Sequence, residues 1–351
     1  MAIHTDVAVV ATVFNERSSL PRLLQSLREQ VLQPDEVIIV DAGSTDGTWE
    51  LLQKWQEEWP LLRALQVRGV GRSEGRNIGF RMAESSWVAV TDAGVVLDRH
   101  WLAHLIAAKV AQPSAEVVSG FFCMAPSNLF ELALGAVTLP RQEEVDRARF
   151  LPSSRSVLVA KSAWQGAGGY PEWLDLCEDL VFDLQLRANG VSFAFAPEAI
   201  VWFRPRTSVR QFFRQYFGYA RGDGRANLWL GRHCIRYATY WGTFVAAAAC
   251  GVTSSWLRRI TIALLLGGGA VVYLRRPYQR LVRSNSVVWM RAPWYRRVVL
   301  WLLLPLLRFE GDVAKMVGFP VGVWWRCWHR RGQPSVVPAQ KTALQTKGEC
   351  S

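Results

Sequence analysis

The sequence predicts an α/β fold: a mostly parallel central sheet flanked by helices, followed by a C-terminal helical region associated with a membrane. Three observations carry this. Short apolar runs, Val7 to Val13, Val37 to Val40 and Trp87 to Val90, each stop at polar or turn-forming residues, as strands buried on both faces do. Between the first two, Leu20, Leu23, Leu24 and Leu27 recur at helical spacing, returning the chain to lay a second strand beside the first as one βαβ unit. Charge is also uneven. Residues 1–200 hold 17 Lys+Arg against 25 Asp+Glu, a soluble globular balance, whereas residues 201–351 hold 24 against 4 and carry long uncharged stretches.

The first strand ends at Phe14-Asn15-Glu16-Arg17-Ser18, and a helix follows over 19–30. The second strand stops at Asp41-Ala42-Gly43-Ser44-Thr45-Asp46-Gly47-Thr48. Two carboxylates, two glycines and hydroxyl residues thus stand at the carboxyl end of a strand, where open α/β sheets collect their ligands. Asp46 is placed to cap the helix that runs from Thr48 to Trp59. Asp41 precedes the turn, where its carboxylate either accepts from a base or ribose or simply closes the turn. Gly69-Val70-Gly71-Arg72-Ser73-Glu74-Gly75 reads GxGxxxG and follows two strands, so it is not the dinucleotide loop that opens a nicotinamide-binding fold. Arg76-Asn77-Ile78-Gly79-Phe80 begins a short helix, and a guanidinium there can fork onto a diphosphate. A third strand ends at Thr91-Asp92-Ala93-Gly94. Farther on, Glu178-Asp179 opens an amphipathic helix through Leu180, Leu184 and Leu186, an end at which acids are favoured.

Taken in order, these segments resemble the family 2 glycosyltransferases, of the inverting, membrane-associated bacterial type, over about residues 6–225. Ala11-Thr12-Val13-Phe14-Asn15-Glu16 is similar to the family's first-strand segment, Arg76-Asn77 to its Ala-Arg-Asn segment, Asp92 to the first aspartate of its Asp-x-Asp motif, and Glu178-Asp179 to its Glu-Asp pair. The resemblance implies a GT-A nucleotide-sugar-binding fold in which Thr12, Phe14 and Glu16 line the nucleoside pocket and Asp41 reads the base. It places Arg76 near the diphosphate, Asp92 at ribose and metal, and Asp179 as catalytic base with Glu178 positioning it. Such chemistry suits these residue types. Expulsion of a nucleoside diphosphate builds charge that a cation or guanidinium must meet, and an acceptor hydroxyl needs a carboxylate to take its proton.

One departure bears on the cofactor. Asp92-Ala93-Gly94 stands where the family has Asp-x-Asp, so a divalent metal, Mg or Mn, loses its usual direct ligand. Asp98 replaces that ligand only if the loop folds back; otherwise an arginine takes the metal's part. Gln211-Phe212-Phe213-Arg214-Gln215 resembles the Gln-x-x-Arg-Trp motif of processive members, with Gln215 for the tryptophan. Arg214 is then a candidate for neutralising the diphosphate, and without the aromatic platform single-sugar transfer is expected rather than polymer synthesis. The same stretch also reads as an interfacial helix, with Phe212, Phe213, Tyr216 and Phe217 facing lipid.

In the second half, Ala238 to Leu257 is 20 residues without a charge and Ile260 to Leu274 is 15 more. Roughly 20 apolar residues span a bilayer, so the first is long enough and the second marginal. Val298 to Leu307, with Pro305, is too short to cross and is expected in the interface. Trp229, Trp241, Trp256, Trp294, Trp301 and the arginines beside them suit headgroup depth. Buried core helices are the alternative. No nucleic-acid motif accompanies the arginines. Met1 to Asp6 lacks the pattern of a signal peptide, and Cys123, Cys177, Cys234, Cys250, Cys327 and Cys350 form no CxxC pair, so the expected setting is the inner membrane with a cytoplasmic catalytic domain. His100 and His104 lack the glutamate of a zinc protease. Asp312 and Lys315 stand isolated among apolar residues.

The expected organisation is a GT-A domain over 1–225, a hydrophobic and basic helical region over 226–332 and a disordered tail over 333–351. The expected activity is transfer of one sugar from a nucleotide diphosphate sugar, of the uridine diphosphate kind, to a membrane, lipid-linked or glycan acceptor, with no nucleic-acid partner. The alternative is a degenerate nucleotide-sugar-binding membrane protein without turnover.

Overall fold

The computed structural model describes residues 5–253, 255–284 and 286–329; the expected tail over 333–351 lies outside them. The chain opens with β1 (Val7–Val13), α1 (Leu20–Arg28), β2 (Glu36–Asp41), α2 (Thr48–Glu58), β3 (Leu62–Gln66), α3 (Arg72–Met82) and β4 (Trp87–Asp92). It continues through β5 (Val95–Leu97), α4 (Trp101–Ala111), β6 (Val117–Met124), α5 (Leu129–Thr138), β7 (Val157–Ala160), α6 (Lys161–Gly166), α7 (Glu178–Ala188) and β8 (Phe193–Phe203). Five helices end the described chain: α8 (Val209–Ala226), α9 (Leu230–Val252), α10 (Trp256–Val282), α11 (Val287–Met290) and α12 (Trp294–His329). Two compact units result, 5–123 with 146–203, and 124–145 with 204–329.

The first unit is built on an eight-stranded sheet in the order β3-β2-β1-β4-β7-β6-β8-β5. β1 pairs in parallel with β2 and β4, and β2 with β3. Beyond β4 the sheet is mixed: β7 runs antiparallel to β4 and β6, and β5 to β8. The reason is connectivity. A parallel neighbour needs a crossover, and the crossover helices α1, α2 and α3 link only β1 to β4. Alternation along β1 sends Val7, Val9, Ala11 and Val13 into one core with α1 and α4, and Ala8 and Val10 into another with Phe80, Trp164, Phe182 and Leu186. The α1 leucines Leu20, Leu23, Leu24 and Leu27 are fully buried, each worth about 1.5–3 kcal/mol on the transfer scale. In register, Thr12 stands opposite Asp92 and Val13 opposite Asp41, so three strands end together.

The second unit is helical. Its core joins Leu132, Ala133 and Leu134 of α5, Phe212 of α8, Leu281 of α10 and Leu300, Leu304 and Leu307 of α12. Phe212 is buried core instead of lipid-facing. Val298 to Leu307 belongs to the 36-residue α12 and supplies three of those core leucines, while Val298, Val299, Leu302 and Leu306 are exposed. α8 and α12 pack backbone to backbone: a Cβ on Gly318 would lie 2.2 Å from the Phe217 carbonyl oxygen, and one on Gly322 2.1 Å from that of Arg221.

The charge-free run Ala238 to Leu257 is not one helix, because α9 ends at Val252 and α10 begins at Trp256. Among the described residues, the segment long and apolar enough to cross a membrane is the other one, extended to 27 residues as α10, none of whose apolar window is buried. Trp241, Phe244 and Val245 of α9 and Leu264, Leu265 and Val272 of α10 are exposed. Asp312 accepts from Arg236 Nε at 2.9 Å and Tyr273 Oη at 2.6 Å, so its isolation in sequence ends in a buried polar network tying α9, α10 and α12. Lys315 lies 3.7 Å from Asp312 and over the Tyr216 ring.

Candidate active site

The turns after β1 and β2 are bound to each other. Asn15, held in the left-handed region at φ 54°, accepts at Oδ1 from the Thr45 amide at 2.9 Å, and its own amide donates to Ser44 Oγ at 2.8 Å. Asparagine tolerates that conformation better than most side chains. The Glu16 amide donates to Thr48 Oγ1 at 2.9 Å, while its carboxylate accepts from Ser19 Oγ at the start of α1. Phe14 projects with 58% of its surface exposed. Asp41 is wholly buried and accepts from the Ser44 amide, Ser44 Oγ and Gln66 Nε2, the last at 2.7 Å. It closes the turn that follows it. Asp46 accepts from the Thr48 amide and hydroxyl and from the Arg17 amide, and those bonds, the hydroxyl's first, hold its carboxyl below the usual range.

α3 meets β1 closely at Gly75, where any Cβ would stand 2.5 Å from Thr12 Cγ2. The Thr12 hydroxyl is buried with no hydrogen-bond partner among the described residues. One residue on, Arg76 is buried and joins two acids: one terminal nitrogen donates to Asp92 Oδ1 at 2.9 Å, the other to Glu178 Oε1 at 2.8 Å. The Tyr170 ring lies 5.3 Å beneath its guanidinium carbon. Burial works against the arginine's charge, but Asp92 and then Glu178 outweigh it and hold the guanidinium more firmly protonated than usual. Burial likewise pushes Glu178 up; Arg76 opposes this and neighbouring Asp179 adds to it.

Asp179 itself is half-buried, in the first turn of α7, and its Oδ1 accepts from the Leu180 amide at 2.8 Å. Cys177, immediately before the pair, sits in the left-handed region at φ 65°, a strained setting for a non-glycine residue.

Asp92 faces a second arginine. Arg155 Nε lies 3.7 Å from its Oδ2, and the Arg155 guanidinium is stacked against the rings of Phe203 at 5.1 Å and Phe122 at 5.9 Å. Burial alone would raise the Asp92 carboxyl; Arg76, then Arg155 and Arg72, overcome this and hold it below the ordinary carboxylate range. Asp183, one turn beyond Asp179, is buried with Oδ2 unpartnered among the described residues. Burial, with Asp179 behind it, pushes its carboxyl well up.

Asp92, Arg76 and Glu178 therefore form one bonded cluster with Asp179 adjoining it, and Thr12 and Asp41 stand at the same edge of the sheet. Phe14 and Glu16 lie on the turn beside them. Arg214 is exposed on α8, in the helical unit. Arg76 is not at the opening of its helix but buried inside it, bonded to carboxylates. Asp98 turns to the start of α4, accepting from the His100 amide at 2.9 Å. His104 Nδ1 meets the Glu198 carbonyl oxygen, and of the Gly69 to Gly75 stretch the first three residues lead into α3 and the last four form its first turn.

A divalent cation does not fit the residues present. Gly94 offers no side-chain ligand, Asp98 accepts from the His100 amide, and both Asp92 oxygens face guanidinium groups.

Arg155, Arg72, Tyr170 and Asp183 escaped the sequence reading. Arg155 belongs to no motif and reaches Asp92 only through the β4 to β7 pairing. Asp183 had one available signal, its position four residues after Asp179 on the same helix face.

Residues 8–164 match the family model described as Glycosyl transferase family 2. The chain is similar to the succinoglycan biosynthesis protein ExoA of Rhizobium meliloti, 24% identical over 232 residues, which are 63% of this chain and 70% of that protein. It is also similar to the cholesterol galactosyltransferase of Borreliella burgdorferi, 26% identical over 159 residues, 45% of this chain and 40% of the relative. Among solved structures, the mannosyltransferase PcManGT from Pyrobaculum calidifontis, in complex with GDP-Man and Mn2+, aligns with a TM-score of 0.53 at 18% identity over 93% of this chain and 88% of that one. At that identity the likeness is one of fold.

Proposed function

We propose, on the premise that this chain carries a glycosyltransferase family 2 domain on a GT-A-type fold, that it moves one sugar from a nucleotide diphosphate sugar to a lipid-linked or other membrane acceptor, inverting the anomeric centre. The observation that carries the reading is the Arg76 bridge. It fixes the end of β4 against the start of α7, so that a donor lying along the strand ends meets Asp179 at its reacting side.

In this reading the turn of Phe14, Glu16 and Asp41 receives the nucleoside, of the uridine kind, beside Thr12. Asp92 faces the ribose and diphosphate side. Arg76, buried and bonded through its two terminal nitrogens to Glu178 and Asp92, acts through them as a positioning residue. Asp179 takes the proton of the acceptor hydroxyl as that oxygen attacks opposite the leaving diphosphate. Glu178, held by Arg76, keeps the first turn of α7 in place. The exposed apolar surfaces of α9 and α10 favour attachment to a membrane.

The test is turnover by the purified chain over a panel of nucleotide sugars, first ranked by thermal stabilisation, since a bound donor raises the melting temperature by mass action. Asp179→Asn is expected to lower transfer by about 100-fold or more while leaving donor binding within about twofold. Gly94, in place of a second aspartate, favours one rival: a nucleotide-sugar binder without catalysis. Donor binding with no turnover on any acceptor would establish it.

A further inference from the structure

Resting on the donor-binding reading above, we propose that Arg155 takes the place of the divalent cation, meeting the diphosphate of the donor directly, with Arg72 as the second positive group, so that donor binding needs no metal. Four observations carry this. First, the acid that would be expected to hold a metal is already compensated: Asp92 Oδ1 is hydrogen-bonded to Arg76 at 2.9 Å. Second, its other oxygen faces Arg155 at 3.7 Å, too long for a hydrogen bond. That contact is electrostatic, so a diphosphate meeting Arg155 breaks no hydrogen bond to Asp92. A metal ion on the same oxygen would instead crowd against a guanidinium.

Third, Arg155 is held for such a task. Its backbone carbonyl accepts from Thr91 Oγ1 at 3.0 Å, next to Asp92, and one terminal nitrogen donates to Ser153 Oγ at 3.0 Å. Phe122 and Phe203 stack on the guanidinium, favouring the cation and directing its hydrogen-bonding edge away from the ring faces. The side chain remains one-quarter exposed, accessible to a ligand. A planar fork of this kind matches two phosphate oxygens better than a lysine would. Fourth, Arg72 is exposed in the first turn of α3, four residues before Arg76, which places it on the same face of that helix.

The experiment titrates the full chain with UDP and GDP, and with uridine and guanosine, in excess chelator and in Mn2+. For the wild type, the nucleotide that binds is expected to do so equally well, within about twofold, in both conditions. Arg155→Met, which keeps bulk and removes charge, should weaken nucleotide binding by about tenfold or more and leave the nucleoside unchanged. Arg155→Lys should recover only part of the loss. The proposal is overturned if nucleotide binding requires Mn2+, if Arg155→Met binds nucleotide like the wild type, or if neither nucleotide binds. The wild-type comparison stands even should the methionine variant fold poorly. Metal-free nucleotide binding without turnover of any nucleotide sugar would sink the transferase reading and leave Arg155 in place; transfer that occurs only with Mn2+ would do the reverse.

Discussion

Asp183 lies on the same face of α7 as Asp179, inside the core, with no partner for one oxygen among the described residues. A buried carboxyl of this kind prefers its proton. Its folded-state affinity for protons exceeds that of the unfolded chain, so its contribution to stability is complete below the ordinary aspartate range, near 3.8, and is lost as pH rises through the elevated folded value. Asp183→Asn, which is neutral at every pH, is therefore expected to raise stability at neutral pH by about 1 kcal/mol or more. The difference from wild type should shrink as pH falls toward 4. Denaturant melts across that range check it; a variant that is equally destabilised at all pH values would show that packing, not charge, governs the site. Asp92 behaves oppositely. Its depressed value gives stability present above the unfolded aspartate range and lost only as pH drops below it.

At the level of elements, the sequence foretold the strand ends well and the far side of the sheet poorly. Val37 to Val40 and Trp87 to Val90 are continuous apolar runs with turn formers behind them, a pattern with one plausible structural meaning, and Asp41 and Asp92 fall where those runs stop. Arg155 was invisible because its partner lies 63 positions earlier, on a strand that β7 meets in antiparallel fashion. Hydropathy likewise overrated Ala238 to Leu257: a run of uncharged residues does not report that Val252 ends one helix and Trp256 begins another. The α8 to α12 contact had no readable signature either, since isolated glycines in apolar helices are common. It makes a sharp expectation all the same. Gly322→Leu should destabilise the helical unit by about 1–3 kcal/mol or more, because the new side chain meets the Arg221 carbonyl and neither backbone can withdraw cheaply. Limited proteolysis and thermal melts report it, and a variant as stable as the wild type would mean that the two helices separate readily.

For the whole molecule, the division of charge and apolar surface sets how the protein is held. If attachment came only from arginines on anionic lipid, high salt would release it, since the screening length shrinks to about 3 Å at 1 M. The exposed apolar side chains of α9 and α10 argue for insertion. The full chain is expected to float with phosphatidylglycerol-containing vesicles and to stay with them at about 1 M salt. Release under those conditions would restrict α10 to a packing surface for protein.

The Arg76 to Glu178 contact closes a loop of 102 residues. A chain emerging from the ribosome can shape its strand-end turns early, from neighbouring segments, yet the guanidinium has only one of its two acids until α7 arrives. Closing so long a loop is entropically costly and slow, so competence for chemistry should be among the last properties the nascent domain acquires, well after it first becomes compact.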